Sequence, residues 1–155
     1  MTSTSVPAVG QTAPDFSVPS TSGEQVTLSA LRGRPVLLAF FPLAFTSTCT
    51  AELCEMRDDY DRFAQHDLQV LPISFDSVPT LREFKAKYEM RVDLLSDFFR
   101  EVSRRYGVLI EERFFSNRAY FLIDREGIVR WVHVEENASN RRSDAEILAE
   151  LAKLT

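Results

Sequence analysis

Cys49 stands where a sulfur can be made to react. The run Pro42-Leu43-Ala44-Phe45-Thr46-Ser47-Thr48 precedes it, an apolar segment from Val36 to Phe41 precedes that run, and an amphipathic stretch follows. This order places a lone thiol at a strand-to-helix turn, in the first turn of a helix. Unpaired backbone N–H groups and the positive end of the helix dipole favour the thiolate there by about 1 to 2 kcal/mol. An ordinary thiol is only a few per cent ionised at neutral pH, and the thiolate is the nucleophile. The chemistry expected is attack by sulfur on an electrophile. Cys54 is the second thiol. At about 100° per residue it lies about 140° around the helix from Cys49, on the polar side with Arg57, Asp58 and Asp61. Spaced five apart, the two cysteines would staple almost nothing as a structural crosslink. With no Cys-x-x-Cys and no second pair, a structural zinc site is not expected.

The elements around this turn follow from pattern. Val36–Phe41 is apolar on both faces, as a central parallel strand is. Residues 48–64 read as one helix, with Cys49, Leu53, Met56, Tyr60 and Phe63 on a buried stripe. Residues 68–73 form the next strand and close a βαβ unit. Thr80-x-x-Glu83 reads as a capping box for a helix whose inner face is Leu81, Phe84 and Tyr88. Residues 94–96 are a short strand, and 101–106 a brief helix ended by Gly107. Residues 118–123 and 128–134 read as an antiparallel hairpin across Asp124-Arg125-Glu126-Gly127. Ser143-x-x-Glu146 caps a last helix with Ile147, Leu148, Leu151 and Leu154 inside. A strand candidate spans Val26–Leu28. The order predicts an α/β sandwich with a mixed sheet flanked by helices, in a thioredoxin-like arrangement. One domain over 1–155 is expected, with residues 1–13 flexible.

Composition narrows the function. A formal charge of −5 and a pI near 5.1 leave no basic face for nucleic acid. The longest apolar run is broken by Pro42 and falls well short of the roughly 20 residues that span a bilayer. The first seven residues show no secretory pattern, so a cytoplasmic location is the expectation. The 12 phenylalanines must be buried somewhere. Phe45, Phe98, Phe99, Phe114 and Phe115 could line an apolar mouth, join the core or form a dimer face. His66 and His133 read as surface or half-buried packing rather than ligands.

A family resemblance comes with the spacing. Pro42-x-x-x-Thr46-x-x-Cys49 after a hydrophobic strand resembles the active-site signature of the peroxiredoxins. Phe40 to Thr46 looks like the alkyl-hydroperoxide-reductase E branch, and Cys49-Thr50-Ala51-Glu52-Leu53-Cys54 looks like the bacterioferritin-comigratory-protein, or PrxQ, branch. Gly10-x-x-Ala13-Pro14-Asp15-Phe16, Leu95-Ser96-Asp97 and Arg118-x-x-Phe121-Leu122-Ile123-Asp124 extend the likeness over nearly the whole chain. The resemblance implies a thiol-dependent peroxidase acting on hydrogen peroxide or alkyl hydroperoxides. It implies Cys49 as the nucleophile that becomes a sulfenic acid, Arg118 and Thr46 as donors toward the peroxide oxygens, and Pro42 as a cover over the sulfur. From the PrxQ branch it implies Cys54 as the resolving thiol. The reductant would be a thioredoxin- or glutaredoxin-type protein or a low-molecular-weight thiol, with no metal or organic cofactor. A monomer or homodimer is expected.

Plainer readings stand beside these. Thr46 or Ser47 alone is an N-cap, Pro42 alone a strand stop, Arg118 alone a solvated strand end, and Cys49 a core cysteine. Glu52 reads as an ordinary first-turn residue. A disulfide needs Cα atoms within about 7 Å, whereas residues five apart on a helix are separated by about 7.5 Å of rise and point apart. If Cys54 resolves Cys49, the first turns of that helix must unwind. The alternatives are a one-cysteine peroxidase served by an external thiol, with Cys54 a spectator, and a redox-sensing module without turnover.

Overall fold

A computed structural model describes residues 5–154. Its centre is a five-stranded sheet in the order β5-β4-β3-β8-β9, built from β3 (Val36–Phe40), β4 (Gln69–Ser74), β5 (Leu95–Ser96), β8 (Ala119–Ile123) and β9 (Val129–Val134). β3 runs parallel to β4 and antiparallel to β8, so the sheet is mixed. Two short pairs lie outside it: β1 (Ser17–Pro19) with β2 (Gln25–Thr27), and β6 (Leu109–Ile110) with β7 (Phe115–Ser116). A single 3-10 turn spans Leu28–Leu31.

All five residues of β3 are buried, and their alternation divides the core. Leu37, Ala39 and Phe41 face α1 (Ser47–Asp58), α2 (Tyr60–Ala64), α3 (Val78–Lys87) and α5 (Asp144–Ala152). Val36, Leu38 and Phe40 face α4 (Glu101–Arg105) and the N-terminal segment around Phe16. Burial on both faces is why this run carries no polar alternation. The β8–β9 hairpin forms as expected. Asp124 Oδ1 accepts from Glu126 N and Ile128 N, and Gly127 sits at φ +85, where a Cβ would lie 2.9 Å from Arg32 Nε.

Three expectations need correction. The helix expected over 48–64 is two helices, because Asp59 (φ −94, ψ 10) leaves helical geometry. The break carries Phe63 into the core, while Tyr60 stays half-buried beneath the Arg91 guanidinium, 4.3 Å from its ring centre. The cap of α3 is Ser77 rather than Thr80: its hydroxyl accepts from Thr80 N, and Pro79 is tolerated in a first turn that needs no N–H. Of the tail expected to be flexible, residues 1–4 lie outside the described residues. Residues 10–13 are instead paired along the start of β9, with Gly10 N donating to Val129 O at 2.8 Å and Ala13 N to Gly127 O at 2.9 Å. Burial of Ala13 and Phe16 in the second core holds them there.

Candidate active site

The site forms where β3 ends. Phe41 N still donates to Ile73 O, and Ser116 Oγ bonds Phe41 O, so the chain leaves the sheet from a fixed point. Pro42 is buried next to it. Asp76, itself buried, accepts from Ala44 N at 2.8 Å and from Ser74 Oγ at 2.6 Å, which pins the loop from the β4 side. Phe45 then adopts φ +68, in the left-handed region that bulky residues avoid, and its ring packs edge-on against Phe84 at 5.1 Å. That contact offsets a strained turn and sets the direction in which α1 begins.

Thr46 occupies the N-cap position of α1, but its side chain does not cap the helix. Its hydroxyl donates to Leu43 O at 2.7 Å. A hydroxyl has one proton, so toward any bound molecule Thr46 offers lone pairs. In this geometry the one hydroxyl proton of Thr46 is committed to Leu43 O. Cys49, in the first turn of α1, is 1% exposed. Arg118, just before β8, reaches it across the sheet: Nη2 lies 3.1 Å from Cys49 Sγ. The same guanidinium donates through Nη1 to Glu52 Oε1 at 2.7 Å and through Nε to Ala138 O at 3.1 Å. Arg118 is 1% exposed, so the solvated strand-end reading fails.

Glu52 is the residue that reading the sequence missed. It is 1% exposed and lies one helical turn after Cys49, bonded to Arg118 and to the Tyr120 hydroxyl. Burial pushes its carboxyl above the usual range, against the pull of Arg118 and then of the Tyr120 bond. Burial also works against the charge on Arg118, but Glu52 and the Cys49 sulfur more than offset it and hold the guanidinium protonated. The signal was present: Glu52 is i+3 from Cys49, on the face shared with Leu53 and Met56. A carboxylate on a buried face requires a cationic partner.

Both cysteines are free thiols. Cys54 is half-buried, and α1 is continuous from Ser47 to Asp58, so the two sulfurs are not brought together. Phe45 is one of the exposed aromatics. It packs on α3, whereas Phe114 and Phe98 are held through their carbonyls by Arg100. His66 and His133 are half-buried, and His133 Nε2 lies 3.2 Å from Glu135 Oε1. No helix among the described residues is long and apolar enough to cross a membrane.

A thiol held buried against a guanidinium, at a helix start, with an acceptor hydroxyl at the helix entrance, is arranged for attack on a polarisable bond. Comparisons with known proteins agree. A family model described as AhpC/TSA family matches residues 9–132. Alkyl hydroperoxide reductase E of Mycobacterium tuberculosis is 40% identical over 131 residues, which cover 83% of this chain and 86% of that one. Peroxiredoxin Bcp of Escherichia coli K12 is 36% identical over 137 residues, covering 84% and 88%. The crystal structure of peroxidoxin BcpB from M. tuberculosis superposes with a TM-score of 0.85 at 31% identity, covering 96% of this chain and 99% of that one. The thioredoxin-like α/β fold expected from the order of elements is the fold these comparisons support.

Proposed function

We propose, for a chain that belongs to the AhpC/TSA family and is a thiol-dependent peroxidase, that Cys49 is the reacting sulfur and Cys54 the thiol that resolves it. Kinship with named peroxiredoxins favours turnover over the redox-sensing alternative. The observation that carries the assignment is the 3.1 Å contact between Arg118 Nη2 and Cys49 Sγ in a site closed to water.

In the first step the Cys49 thiolate attacks the terminal oxygen of the hydroperoxide. The O–O bond breaks, Cys49 becomes a sulfenic acid, and the other oxygen leaves as water or an alcohol after taking a proton. Arg118 donates toward the charge that develops as the bond lengthens, an effect worth about 3 to 4 kcal/mol per well-placed donor. Thr46, its own proton engaged by Leu43, accepts the hydroperoxide O–H and aligns it. Pro42 excludes water from the sulfur.

In the second step α1 unwinds over its first turns, Cys54 attacks the sulfenic sulfur, a disulfide forms and water leaves. A protein dithiol of the thioredoxin or glutaredoxin type, or a low-molecular-weight thiol, reduces the disulfide. The crosslink lies within one chain, so a monomer or a homodimer suffices. A reducing compartment, the cytoplasm, suits a cycle that must return two thiols.

The intact helix between the cysteines favours a second reading, in which an external thiol reduces Cys49 directly. Turnover of Cys54→Ser, measured with thioredoxin and its reductase, separates the two. The proposed cycle requires this variant to lose thioredoxin-coupled turnover while Cys49 still oxidises once. Undiminished turnover establishes the one-cysteine route.

A further inference from the structure

The bonds beyond Arg118 continue to a residue with no assigned part in the reaction. Tyr120, on β8, is fully buried and stacks on Trp131 at 6.1 Å between ring centres. Its hydroxyl accepts from Arg142 N at 2.9 Å, just ahead of α5. It also bonds Glu52 Oε2. A backbone N–H can only donate, so it occupies a lone pair of the hydroxyl and leaves the single hydroxyl proton for Glu52. The hydroxyl donates that proton to Glu52 Oε2, a direction that suits a carboxylate carrying its charge.

We propose that Tyr120 is a positioning residue of the peroxidase reaction: its hydroxyl fixes the Glu52 carboxylate so that Glu52 in turn holds Arg118 against the Cys49 sulfur. The inference rests on Cys49 being the reacting sulfur. Glu52 has two donors, one on each oxygen, and burial works against its charge. Without the Tyr120 hydroxyl, Oε2 is left unpaired in a closed site, and the carboxyl takes up a proton more readily. A protonated Glu52 no longer attracts the guanidinium, which is then free to turn from sulfur. Arg142 contributes through its backbone alone, since its side chain pairs with Glu135.

Tyr120→Phe keeps the ring and its packing and removes only the hydroxyl. The test is the rate of Cys49 oxidation by hydrogen peroxide in a single turnover, followed as a function of pH. Expected are a loss of about tenfold at neutral pH, the weight of one buried bond to a charged group, and displacement of the acid limb of the profile to higher pH. Glu52→Gln should lose rate on its own, and adding Tyr120→Phe to it should cost little more, because the two act through one contact. A Tyr120→Phe protein with the wild-type rate and profile, changed only in melting temperature, overturns the inference alone. If Cys49→Ser consumed peroxide at the wild-type rate, the premise and the inference would fall together.

Discussion

The Arg118–Glu52 pair is a costly way to stabilise a core. Two charges at 1% exposure have lost their water, and replacing such a pair with apolar residues is often neutral or stabilising. Its worth lies in what it holds in place: one planar group directed at Cys49 Sγ, Glu52 Oε1 and Ala138 O at once. Lysine carries the same charge, but its ammonium is a compact point without the planar spread that lets one guanidinium reach three separated acceptors. Arg118→Lys should therefore lose roughly 10² to 10³ in the rate of peroxide reduction and about 1 to 3 kcal/mol of stability from the acceptors left unpaired. Stopped-flow oxidation and urea unfolding measure the two, and a rate within threefold of wild type would contradict this role. At this scale the sequence was partly legible. Cys49 announces itself by its place at a strand-to-helix turn, and Pro42, Thr46 and Arg118 by the family resemblance. Glu52 was legible as a carboxylate on the buried face of α1, but its partners Arg118 and Tyr120, and the contact of Asp76 with Ala44, lie more than 30 residues away in sequence, which local pattern does not carry.

Helix α1 carries both cysteines, so in the proposed cycle its stability sets the speed of disulfide closure. While it is intact, Cys49 and Cys54 are separated by about 7.5 Å of rise, beyond disulfide reach. Ala51 lies between them and is exposed, so a substitution there acts on the helix alone. Ala51→Gly weakens a helix interior by about 1 kcal/mol and should speed disulfide closure about fivefold, leaving the preceding oxidation unchanged. Closure followed by intrinsic fluorescence or quenched alkylation tests this, and an unchanged or slower rate would mean that unwinding is not the gate. The period of α1 was legible from Cys49, Leu53 and Met56. Its end at Asp59 was not, because no glycine or proline marks it. The start of α3 was misplaced for a related reason: Thr80-x-x-Glu83 fits the capping pattern, but Ser77 comes first with Pro79 to follow. Only the backbone decides between such neighbours.

At the scale of the whole molecule, α5 is joined to α1 by an acid pair. Asp144, the first residue of α5, is 2% exposed, and among the described residues neither of its oxygens has a donor. The group it meets is the Asp59 carboxyl at the end of α1. Burial, then that contact, then the charges of Glu55, Asp59 and Glu52 push Asp144 up to about 8. Its folded value lies above the unfolded one, near 3.9. From about pH 4 to about pH 8 the folded chain holds a proton that the unfolded chain has released. Stability from this group is full below that window, falls by up to about 1.4 kcal/mol per pH unit across it and is level above it. Urea midpoints measured across the window should show that slope in wild type and lose it in Asp144→Asn, whereas equal slopes would remove the acid pair from the explanation. The mixed sheet was legible because β3 is apolar on both faces and the 124–127 loop dictates an antiparallel hairpin. The acid pair was not, since nothing in the local pattern brings Asp144 against Asp59. The most direct test of Cys49 and Cys54 as partners is the intact mass of the protein after one equivalent of hydrogen peroxide. Expected are a loss of two hydrogens in wild type and a gain of one oxygen in Cys54→Ser. A wild-type protein that gains oxygen and never loses hydrogen would contradict it.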